Sequence, residues 1–588
     1  MDSKHVTEST SGQEDIQKTW WKEAIIYQIY PRSFQDSDGD GIGDLNGITS
    51  RLDYIQSLGV DIIWLNPIFL SPNDDNGYDI SDYREIMREF GTMEDFDRLL
   101  KEIHKRGMRL VLDLVVNHTS DEHPWFEEAR KSRHNPYYNY YHWWPAEKGE
   151  PPLRLSYFDE EGNAWMYNKS TDSYYLHYFS RKQPDLNWEN PEVRQEIFDM
   201  MRFWFDKGID GFRMDSISLI AKDPSFPLID SKKYPDIFSF YAKEPRLHLY
   251  LHEMNRQVLS KYDCMSVGEG SAVMVDDVAK FVDPAREELN MLYHFDAARI
   301  RNTTLPDNPE SGIDYSLIAL KKMFTEWDKA VDKGWPSIYL GNHDQPRMVS
   351  RFGSDKDEFR ALSAKMLITF LLTMRGTPYW FAGDEIGMRN IRFDRIEDYN
   401  DIDTINRYKK AKAEGKDPQA VLDEQKETGR DNARTPFQWD RSPEAGFTAG
   451  TPWLKVNPDY TWINVADEEK DPTSILNYFK KVVSFRKENP SLIYGSYHLL
   501  DAENPQCYIF LRKTGADTYL IMLNFSPKAA ISTPGIDMSN AHVLLDNYGD
   551  RSHMAPQKDI TLRPFEAIVF QLNHPVYESF IDSLDLLE

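Results

Sequence analysis

The sequence predicts an α/β protein: a (β/α)8 TIM barrel with a subdomain inserted after its third strand and an antiparallel β-domain at its C-terminus. Three observations carry this prediction. Short apolar segments alternate with helical patterns from residue 24 onward, the alternation stops between about residues 119 and 190, and short alternating strands occupy about 497–572. A chain of 588 residues is long enough for one large barrel with attachments.

Eight segments have the composition of buried strands, and eight is the number that closes a barrel. The third is nearly continuous in apolar residues, as expected for a strand covered on both faces. The segments span residues 24–30, 61–65, 109–116, 211–215, 265–269, 291–296, 337–344 and 378–383. Because helical patterns separate them, we expect the strands to be parallel.

Two helices illustrate the intervening pattern. Apolar residues at positions 45, 48, 52, 55 and 58 recur at spacings of three and four, which predicts a helix over 45–58. Thr92 and Asp95 have the spacing of a capping box, so the next helix is expected to begin there.

We divide the chain at the points where these patterns change. The predicted domains are a first part of the barrel (18–118), the inserted subdomain (119–190), a second part of the barrel (191–495, with an insertion at about 388–450) and a C-terminal β-sandwich domain (496–588). Residues 1–17 are polar and charged without an apolar core, which favours a loose tail over a secretory signal.

Composition narrows the class of partner. The chain has 69 basic and 96 acidic residues, a net charge of −27, and so acidic a surface repels nucleic acid and anionic membranes. The longest apolar stretch, 364–374, is shorter than the ~18 residues that span a bilayer. We therefore expect a cytoplasmic protein whose ligand is neutral or cationic, with no nucleic-acid or membrane partner.

The two cysteines, Cys264 and Cys507, exclude a disulfide framework and a four-cysteine zinc site. We expect both to be buried free thiols.

Four of the predicted strands end at polar residues or run directly into them. These polar residues are Asn117-His118, Asp215, Glu269 and His343-Asp344. The carboxyl ends of barrel strands meet at one rim, where such enzymes place their chemistry. Packing gains nothing from several acids at one rim, because each costs desolvation and they repel one another. The pattern therefore predicts a catalytic centre.

Paired carboxylates in a cleft are suited to cleaving a bond at an acetal carbon. One attacks or stabilises the oxocarbenium-like centre, and the other protonates the leaving oxygen. Their repulsion raises the pKa of one partner, which then serves as the proton donor. Arg213 lies two residues before Asp215, on the same strand face, and can hold that carboxylate ionised. The alternative is that the two form only a structural ion pair.

Several segments resemble glycoside hydrolase family 13, the α-amylase family. Those that match its four signature regions are 113–118 (DLVVNH), 211–215 (GFRMD), 267–269 (VGE) and 342–344 (NHD). Within the family, 71–79 (SPNDDNGYD), 183–188 (QPDLNW) and 430–436 (RDNARTP) are most similar to oligo-1,6-glucosidases, dextran glucosidases and sucrose isomerases. The resemblance runs from about residue 20 to the C-terminus.

The resemblance implies roles for the acids. Asp215 matches the nucleophile that forms a covalent glucosyl-enzyme, Glu269 matches the acid/base, and Asp344 matches the third acid, which grips sugar hydroxyls. These three are the expected catalytic residues.

It also implies a sugar pocket around the glucose on the non-reducing side of the cleaved bond, subsite −1. The expected substrate-binding residues are Asp75, Tyr78, His118, Phe179, Arg213, His343 and Arg430. The histidines would bond sugar hydroxyls, Tyr78 would stack under the ring, and Phe179 would form a second wall. Asp75 and Arg430 match a pair that closes the pocket, so cleavage would be exo; a surface salt bridge instead would leave endo cleavage open.

An acidic loop near the N-terminus has the rhythm of a cation site. Asp36, Asp38, Asp40 and Asp44 alternate with glycines in an EF-hand-like pattern that lacks the distal Glu. The alternative is a solvated acidic turn. In the related glucosidases this loop holds Ca²⁺ or Mg²⁺ with a backbone oxygen at the position of Ile42, which implies a structural ion and no catalytic metal.

The expected function is a retaining exo-α-glucosidase that favours short α-1,6-linked substrates. In the family the residue after the nucleophile is Val in α-1,6 enzymes and Ala or Thr in α-1,4 or sucrose-active ones, and Ser216 matches neither. The alternative is a sucrose isomerase or transglucosylase, or a hydrolase of sucrose and its isomers isomaltulose and trehalulose. In each case the expected partner is a small oligosaccharide or disaccharide, and the protein is expected to be a monomer. However, the stretch 299–303 lacks both acids of the isomerase Arg-Leu-Asp-Arg-Asp loop. A non-catalytic transporter heavy chain is disfavoured, because all three acids are present.

Overall fold

The eight predicted strands form one parallel sheet rolled into a nearly closed barrel, in agreement with the predicted fold class. A computed structural model describes residues 18–158, 162–234, 236–515, 517–536, 538, 541–551 and 559–572; the predicted tail, 1–17, lies outside them. In chain order the barrel strands are Ile26–Ile29, Ile62–Leu65, Arg109–Val115, Gly211–Asp215, Met265–Glu269, Met291–Tyr293, Ser337–Ile338 and Thr377–Phe381.

The sheet order runs sixth, fifth, fourth, third, second, first, eighth, seventh. The sixth and seventh strands are therefore its edges. Side chains connect these edges: the Ser337 hydroxyl donates to the Leu292 carbonyl at 2.9 Å, and the Tyr339 hydroxyl donates to the His294 carbonyl at 2.6 Å. These bonds bring the edges together and place the carboxyl ends of all eight strands at one rim.

Several strands are shorter than predicted, and the sixth and seventh lose the most residues at their carboxyl ends. The predicted segment 337–344 keeps only Ser337–Ile338 as strand, and 291–296 ends at Tyr293 because the next helix begins at Asp296. Beyond this strand the Asn342 side-chain oxygen accepts the Asp344 N–H at 2.9 Å, which makes a turn at the end of the predicted segment. His343 and Asp344 thus lie on a loop at the rim.

Helices pack around the barrel and support the rim loops. They are Trp20–Glu23, Leu45–Ser50, Leu52–Ser57, Met93–Lys105, Pro124–Ala129, Pro191–Lys207, Arg246–Gln257, Ala279–Val282, Asp296–Thr303, Leu317–Ala330, Met348–Phe352, Arg360–Thr373, Ile402–Ala413, Pro418–Thr428, Asp431–Arg434, Val465–Glu468, Ile475–Glu488 and Ser491–Tyr494. Among the residues that the structure describes, none of these helices is both long and apolar enough to cross a bilayer.

The two helix predictions have different outcomes. The capping box is confirmed: Thr92 Oγ1 accepts the Asp95 N–H at 3.2 Å, and Asp95 Oδ2 accepts the Thr92 N–H at 2.8 Å. The predicted helix 45–58 is instead two helices that meet at Arg51, whose ψ of 7° is not helical. The Arg51 guanidinium bonds the Gln35 side chain at 2.7 Å and lies 4.0 Å from the Trp439 ring centre. These contacts hold Arg51 at the break.

The segment after the third strand contains short elements. A three-stranded antiparallel sheet is formed by Trp143–Pro145, Ser173–Leu176 and Trp165–Asn168, in that order. A two-stranded sheet, Phe69–Leu70 with Asp82–Ile86, lies in the loop after the second strand. An isolated bridge between His118 and Asp185 connects this segment to the rim. The domain boundaries drawn from the sequence stay predictions.

The C-terminal region is an antiparallel β-domain. Its five-stranded sheet has the order Ser496–Leu500, Cys507–Thr514, Asp517–Asn524, Ala567–Leu572 and His542–Asp546, and a second sheet pairs Ala530–Ser532 with Ile560–Leu562. Buried apolar residues of both sheets share one core.

The prediction for the cysteines is half right. Both are free thiols, but Cys507 is buried whereas Cys264 is only partly buried. Cys264 lies just before the fifth barrel strand, on the loop at the opposite end from the catalytic rim. Burial is nevertheless the main reason that the pKa of each thiol rises to about 12.

Candidate active site

The buried guanidinium of Arg213 bonds carboxylates from three neighbouring strands. Arg213 Nη1 donates to Asp113 Oδ1 at 2.7 Å and to Asp215 Oδ1 at 2.8 Å, while Nη2 donates to Glu269 Oε2 at 2.8 Å. The Arg213 side chain is 1% exposed, and those of Asp215 and Glu269 are 10% and 7% exposed. The two acids predicted to act as a pair therefore lie side by side at the rim.

The surroundings of Glu269 fix its orientation. The Ser216 N–H donates to Glu269 Oε2 at 2.8 Å. Ser216 has a left-handed backbone (φ 42°), which turns the chain directly after Asp215. The Tyr293 hydroxyl accepts the Arg213 Nε–H at 2.8 Å and so supports the guanidinium from the sixth strand.

The environment separates the protonation states of the acids. Burial, reinforced by the charges of Asp215 and Asp344, raises the pKa of Glu269 well above its ordinary value despite the opposing Arg213. Burial also acts on Asp344, but there the guanidinium charges of Arg430 and Arg434 outweigh it and hold the pKa below its ordinary range. Glu269 is thus suited to carry a proton while Asp344 stays ionised.

His343 and Tyr78 form a stacked pair below the rim. Their ring centres lie 5.3 Å apart with planes 8° from parallel. Gln28 Nε2 donates to His343 Nδ1 at 2.8 Å, which leaves the proton on Nε2, 2.7 Å from the Tyr78 hydroxyl. The Tyr78 hydroxyl donates to Asp113 Oδ2 at 2.9 Å. Burial lowers the pKa of His343 well below its ordinary value, so the ring is neutral.

His118 and Phe179 lie together on the side of the inserted segment. His118 Nε2 donates to the Tyr78 carbonyl at 3.0 Å, and the His118 ring centre is 5.1 Å from that of Phe179. Phe179 also stacks on Tyr157, with ring centres 5.1 Å apart. Burial lowers the pKa of His118, so this ring is neutral as well.

The predicted Asp75–Arg430 pair exists, but Arg430 is shared. Arg430 Nη2 is 3.3 Å from Asp75 Oδ1, Nη1 is 3.2 Å from Asp344 Oδ1, and Nε is 2.7 Å from Asp401 Oδ1. The side chains of Asp75 and Arg430 are 7% and 15% exposed, so this is a buried ion pair and not a surface salt bridge. Burial raises the pKa of Asp75 to about 6, against the opposing Arg430.

Sequence reasoning missed four residues of this network: Asp113, Tyr293, Asp401 and Arg434. Asp113 could have been recognised from the sequence, because a charged residue inside an apolar strand needs a partner of opposite charge. Arg434, which donates to Asp344 Oδ1 at 2.9 Å, lies inside the 430–436 segment that carried the resemblance. Asp401 had no signal, because it lies in a polar stretch with no recognisable pattern.

The acidic loop brings three of its four predicted carboxylates together. Oxygens of Asp36, Asp38 and Asp40 lie within 4.8 Å of one another. Asp44 is not in this group: it caps the helix that begins at Leu45, with Oδ1 accepting the Gly47 N–H at 2.7 Å.

Hydrogen-bond donors without charge surround this loop. Asp36 accepts the N–H groups of Asp38, Gly39 and Gly41 at 2.8–2.9 Å and the Thr448 hydroxyl. Burial would raise the pKa of Asp36, but these bonds outweigh it and lower the pKa. Within the part of the chain that the structure describes, no cationic side chain is bonded to these three carboxylates. They are a set of hard oxygen donors, which fits Ca²⁺ or Mg²⁺.

Comparison with known proteins agrees with this geometry. The family profile described as "Alpha amylase, catalytic domain" matches residues 28–495. The chain is 52% identical over 571 residues to the oligo-1,6-glucosidase of Parageobacillus thermoglucosidasius, covering 95% of this chain and 100% of the relative. It is 49% identical over 567 residues to the oligo-1,6-glucosidase of Bacillus cereus, with 95% and 100% coverage.

Solved structures show the same similarity. The trehalulose synthase MutB from Pseudomonas mesoacidophila MX-45 superposes with a TM-score of 0.89 at 43% identity, covering 94% of this chain and 99% of that one. Given the barrel, the acids at its rim and a profile matched over most of the length, the chain belongs to the α-amylase family, glycoside hydrolase family 13.

Proposed function

We propose that this glycoside hydrolase is a retaining exo-α-glucosidase that releases glucose from the non-reducing end of short α-glucosides, with α-1,6 linkages favoured. Family membership and the α-glucosidase character of its relatives establish the class of enzyme. The observation that carries the mechanism is that Asp215 and Glu269 share one guanidinium, on adjacent nitrogens of Arg213.

The proposed reaction has two steps. The Asp215 carboxylate attacks the anomeric carbon and forms a covalent glucosyl ester, while Glu269 gives its proton to the oxygen of the departing group. Glu269, now ionised, then takes a proton from water, whose oxygen attacks the same carbon and releases Asp215. Two inversions give net retention. Arg213 holds the Asp215 carboxylate in position, with Nη1 2.8 Å from Asp215 Oδ1.

The remaining predicted residues supply the walls of subsite −1. Tyr78 would stack under the sugar ring, Phe179 would close one side, and the neutral imidazoles of His118 and His343 would bond sugar hydroxyls. The buried Asp75–Arg430 pair, joined to Asp344, would close the far end. A closed end leaves no space for a sugar beyond −1, which supports exo cleavage.

Linkage preference rests on the relatives. Two of them, at 52% and 49% identity, bear the name oligo-1,6-glucosidase. The resemblance of the segment 183–188 to oligo-1,6-glucosidases supports the same preference. Its Gln183 also belongs to the closed end, because it donates to Asp75 Oδ2 at 3.2 Å.

A sucrose isomerase is the second candidate, favoured by the similarity to a trehalulose synthase. It would use the same glucosyl ester and pass glucose to fructose in place of water. In this chain the stretch 299–303 lies in the helix Asp296–Thr303, and Arg299 is half exposed, with Nη1 3.6 Å from Asp296. Because the two acids of the isomerase loop are replaced here, hydrolysis is the better-supported outcome.

A structural cation is proposed for the acidic loop. Asp36, Asp38 and Asp40 would hold Ca²⁺ or Mg²⁺, with Ile42 supplying a backbone oxygen, and the ion would stabilise the loop without entering the reaction. A cytoplasmic, monomeric protein without nucleic-acid or membrane partners stays a prediction.

A substrate panel tests the proposal. Isomaltose, maltose, sucrose, isomaltulose and trehalulose are each incubated with the enzyme, and products are followed by ¹H NMR. We expect glucose release to be fastest from isomaltose, with the α-anomer formed first. β-Glucose formed first would overturn retention, and isomaltulose or trehalulose accumulating from sucrose would favour the isomerase.

A further inference from the structure

Asp401 connects the closed end of the pocket to a helix outside the barrel. This residue is fully buried, at 0% exposure, in the segment between the eighth barrel strand and the C-terminal domain. Its two carboxylate oxygens have different partners. Oδ1 faces the guanidinium of Arg430, at 2.7 Å from Nε and 2.5 Å from Nη2. Oδ2 accepts the N–H and hydroxyl of Thr404 and caps the helix Ile402–Ala413.

Arg430 is held more closely by Asp401 than by the acids of the pocket. The distances to Asp75 and Asp344 are 3.3 and 3.2 Å, both longer than the two contacts to Asp401. A guanidinium with three acidic partners takes its position from the contact that is shortest and least mobile. Here that contact is the carboxylate anchored to a helix.

A second carboxylate, that of Asp431, fixes the backbone at Asp401. The carboxylate of Asp431, the residue after Arg430, accepts the N–H of Asn400 at 2.6 Å and of Asp401 at 2.9 Å. The two segments therefore bind each other in both directions: Asp401 holds the Arg430 side chain, and Asp431 holds the Asp401 backbone. Small shifts of the helix would be transmitted to the guanidinium.

The same helix also contacts the inserted segment on the other side of the pocket. Asn406 Nδ2 donates to the Phe158 carbonyl at 2.6 Å, and the Phe158 ring lies 4.8 Å from the Arg430 guanidinium. Phe158 thus supports the face of Arg430 while Asp401 holds its edge. Both supports depend on the helix Ile402–Ala413.

We propose that Asp401 is a positioning residue that sets the place of Arg430, and through it the closed end formed with Asp75 and Asp344. This inference rests on the proposed function, because it assigns the closed end to sugar binding. Asp401 is fully buried, so its effect on a bound sugar passes through Arg430. It acts by keeping Arg430 within reach of the sugar hydroxyls that Asp75 and Asp344 also bond.

Substitutions can separate the two interactions of the Asp401 carboxylate, the ion pair with Arg430 and the helix cap. In Asp401→Asn the negative charge that faces Arg430 is lost, but the helix cap is kept, because Asn caps helices as well as Asp does. In Thr404→Val the carboxylate stays charged, but the hydroxyl that bonds Oδ2 is removed. Asp417→Asn is the matched control: Asp417 caps the following helix, accepting the Gln419 N–H at 2.9 Å.

Steady-state kinetics on isomaltose and p-nitrophenyl α-glucoside, with glucose as competitive inhibitor, provide the test. For Asp401→Asn we expect kcat/KM to fall about 10- to 100-fold, mostly through KM, with a parallel rise in the inhibition constant of glucose. For Thr404→Val and Asp417→Asn we expect both quantities to stay within about twofold, although Thr404→Val lowers the melting temperature.

Several results would overturn the proposal. One is that KM and the glucose inhibition constant are unchanged in folded Asp401→Asn. Another is that Thr404→Val loses as much kcat/KM as Asp401→Asn, because the helix cap would then explain the loss. If Asp401→Asn does not fold, Asp401→Glu decides, because it moves the charge by one methylene, and an unchanged KM then refutes the role. A wild-type enzyme inactive on both substrates would instead contradict the proposed function.

Discussion

The catalytic rim and the loop 36–44 both gather several acids, yet they compensate the charge differently. At the rim, Asp215, Glu269 and Asp344 bond to arginine side chains, so the protein supplies the opposite charge itself. In the loop, Asp36 bonds to backbone N–H groups and a hydroxyl, which satisfy its hydrogen bonds but carry no net charge.

This difference separates two uses of the same residue types. Acids paired with buried arginines have fixed positions and divergent pKa values, which acid–base and nucleophilic chemistry require. Acids paired with amides keep a net negative charge, which a hard cation from solution can compensate. The predictions that follow change one region at a time, beginning with the largest expected effect.

Replacing the proposed nucleophile should have the largest effect. In Asp215→Asn the amide does not form the glucosyl ester, so kcat on isomaltose should fall by about 10⁴-fold or more. Circular dichroism and thermal melting check that the fold is kept, and glucose binding checks that the pocket is intact. Residual activity above about 1% would contradict the assignment.

Replacing the proposed acid should produce a loss that depends on the leaving group. In Glu269→Gln we expect kcat/KM to fall about 10³-fold for isomaltose but only about tenfold for p-nitrophenyl α-glucoside, whose departure needs little protonation. Equal losses on the two substrates would count against Glu269 as the proton donor.

The raised pKa of Glu269 also predicts an alkaline limb. The residue donates its proton only below its pKa in the folded enzyme, so kcat/KM should decrease as the pH rises through that value. A pH profile with isomaltose shows this limb in the wild type. Its persistence in Glu269→Gln would place the titrating group elsewhere.

The closed end of the pocket predicts an acid limb. The pKa of Asp75 is raised to about 6, so Asp75 takes up a proton and loses its ion pair with Arg430 as the pH falls through about 6. We expect kcat/KM to fall over this range. Asp75→Asn should remove the limb and lower kcat/KM about 10- to 100-fold at pH 7.

Asp74→Asn is the matched control for this change, since Asp74 lies next in the chain and bonds the Ser180 hydroxyl at 2.5 Å. It should retain the acid limb. A limb that survives in Asp75→Asn would assign the titration to another group.

Removing a cation from the acidic loop should have the smallest effect on catalysis. A chelator should lower the melting temperature by about 5 °C, and added Ca²⁺ should restore it, because a ligand bound only by the folded state stabilises it. At saturating substrate kcat should stay unchanged. Asp38→Asn should abolish the response, whereas Asp53→Asn, which removes an exposed partner of Arg106, should keep it. A melting temperature that ignores both additions would refute the site.

Most of the barrel could be predicted because each buried strand has a recognisable local sequence pattern. A parallel strand covered on both faces must be apolar over nearly its whole length, as residues 109–116 are, and this pattern does not depend on partners far along the chain. The ends of the strands were less certain. The predicted seventh strand ends six residues early, and its last three residues form a turn closed by the Asn342 side chain. A predicted helix is broken at Arg51, whose side chain contacts Gln35 and Trp439.

The sequence by itself determined which acids stand at the rim, because strand-end residues and short segments such as GFRMD are contiguous and readable. Only the tertiary structure decided how those acids are partnered. Arg213 bonds acids 100, 2 and 56 positions away, and Arg430 bonds acids 355, 86 and 29 positions away. Contacts between residues so far apart in the sequence form only once the chain has folded. The protonation states of the buried acids depend on these contacts. The sequence therefore gives no indication of the role proposed for Asp401, which follows only from its contacts in the folded structure.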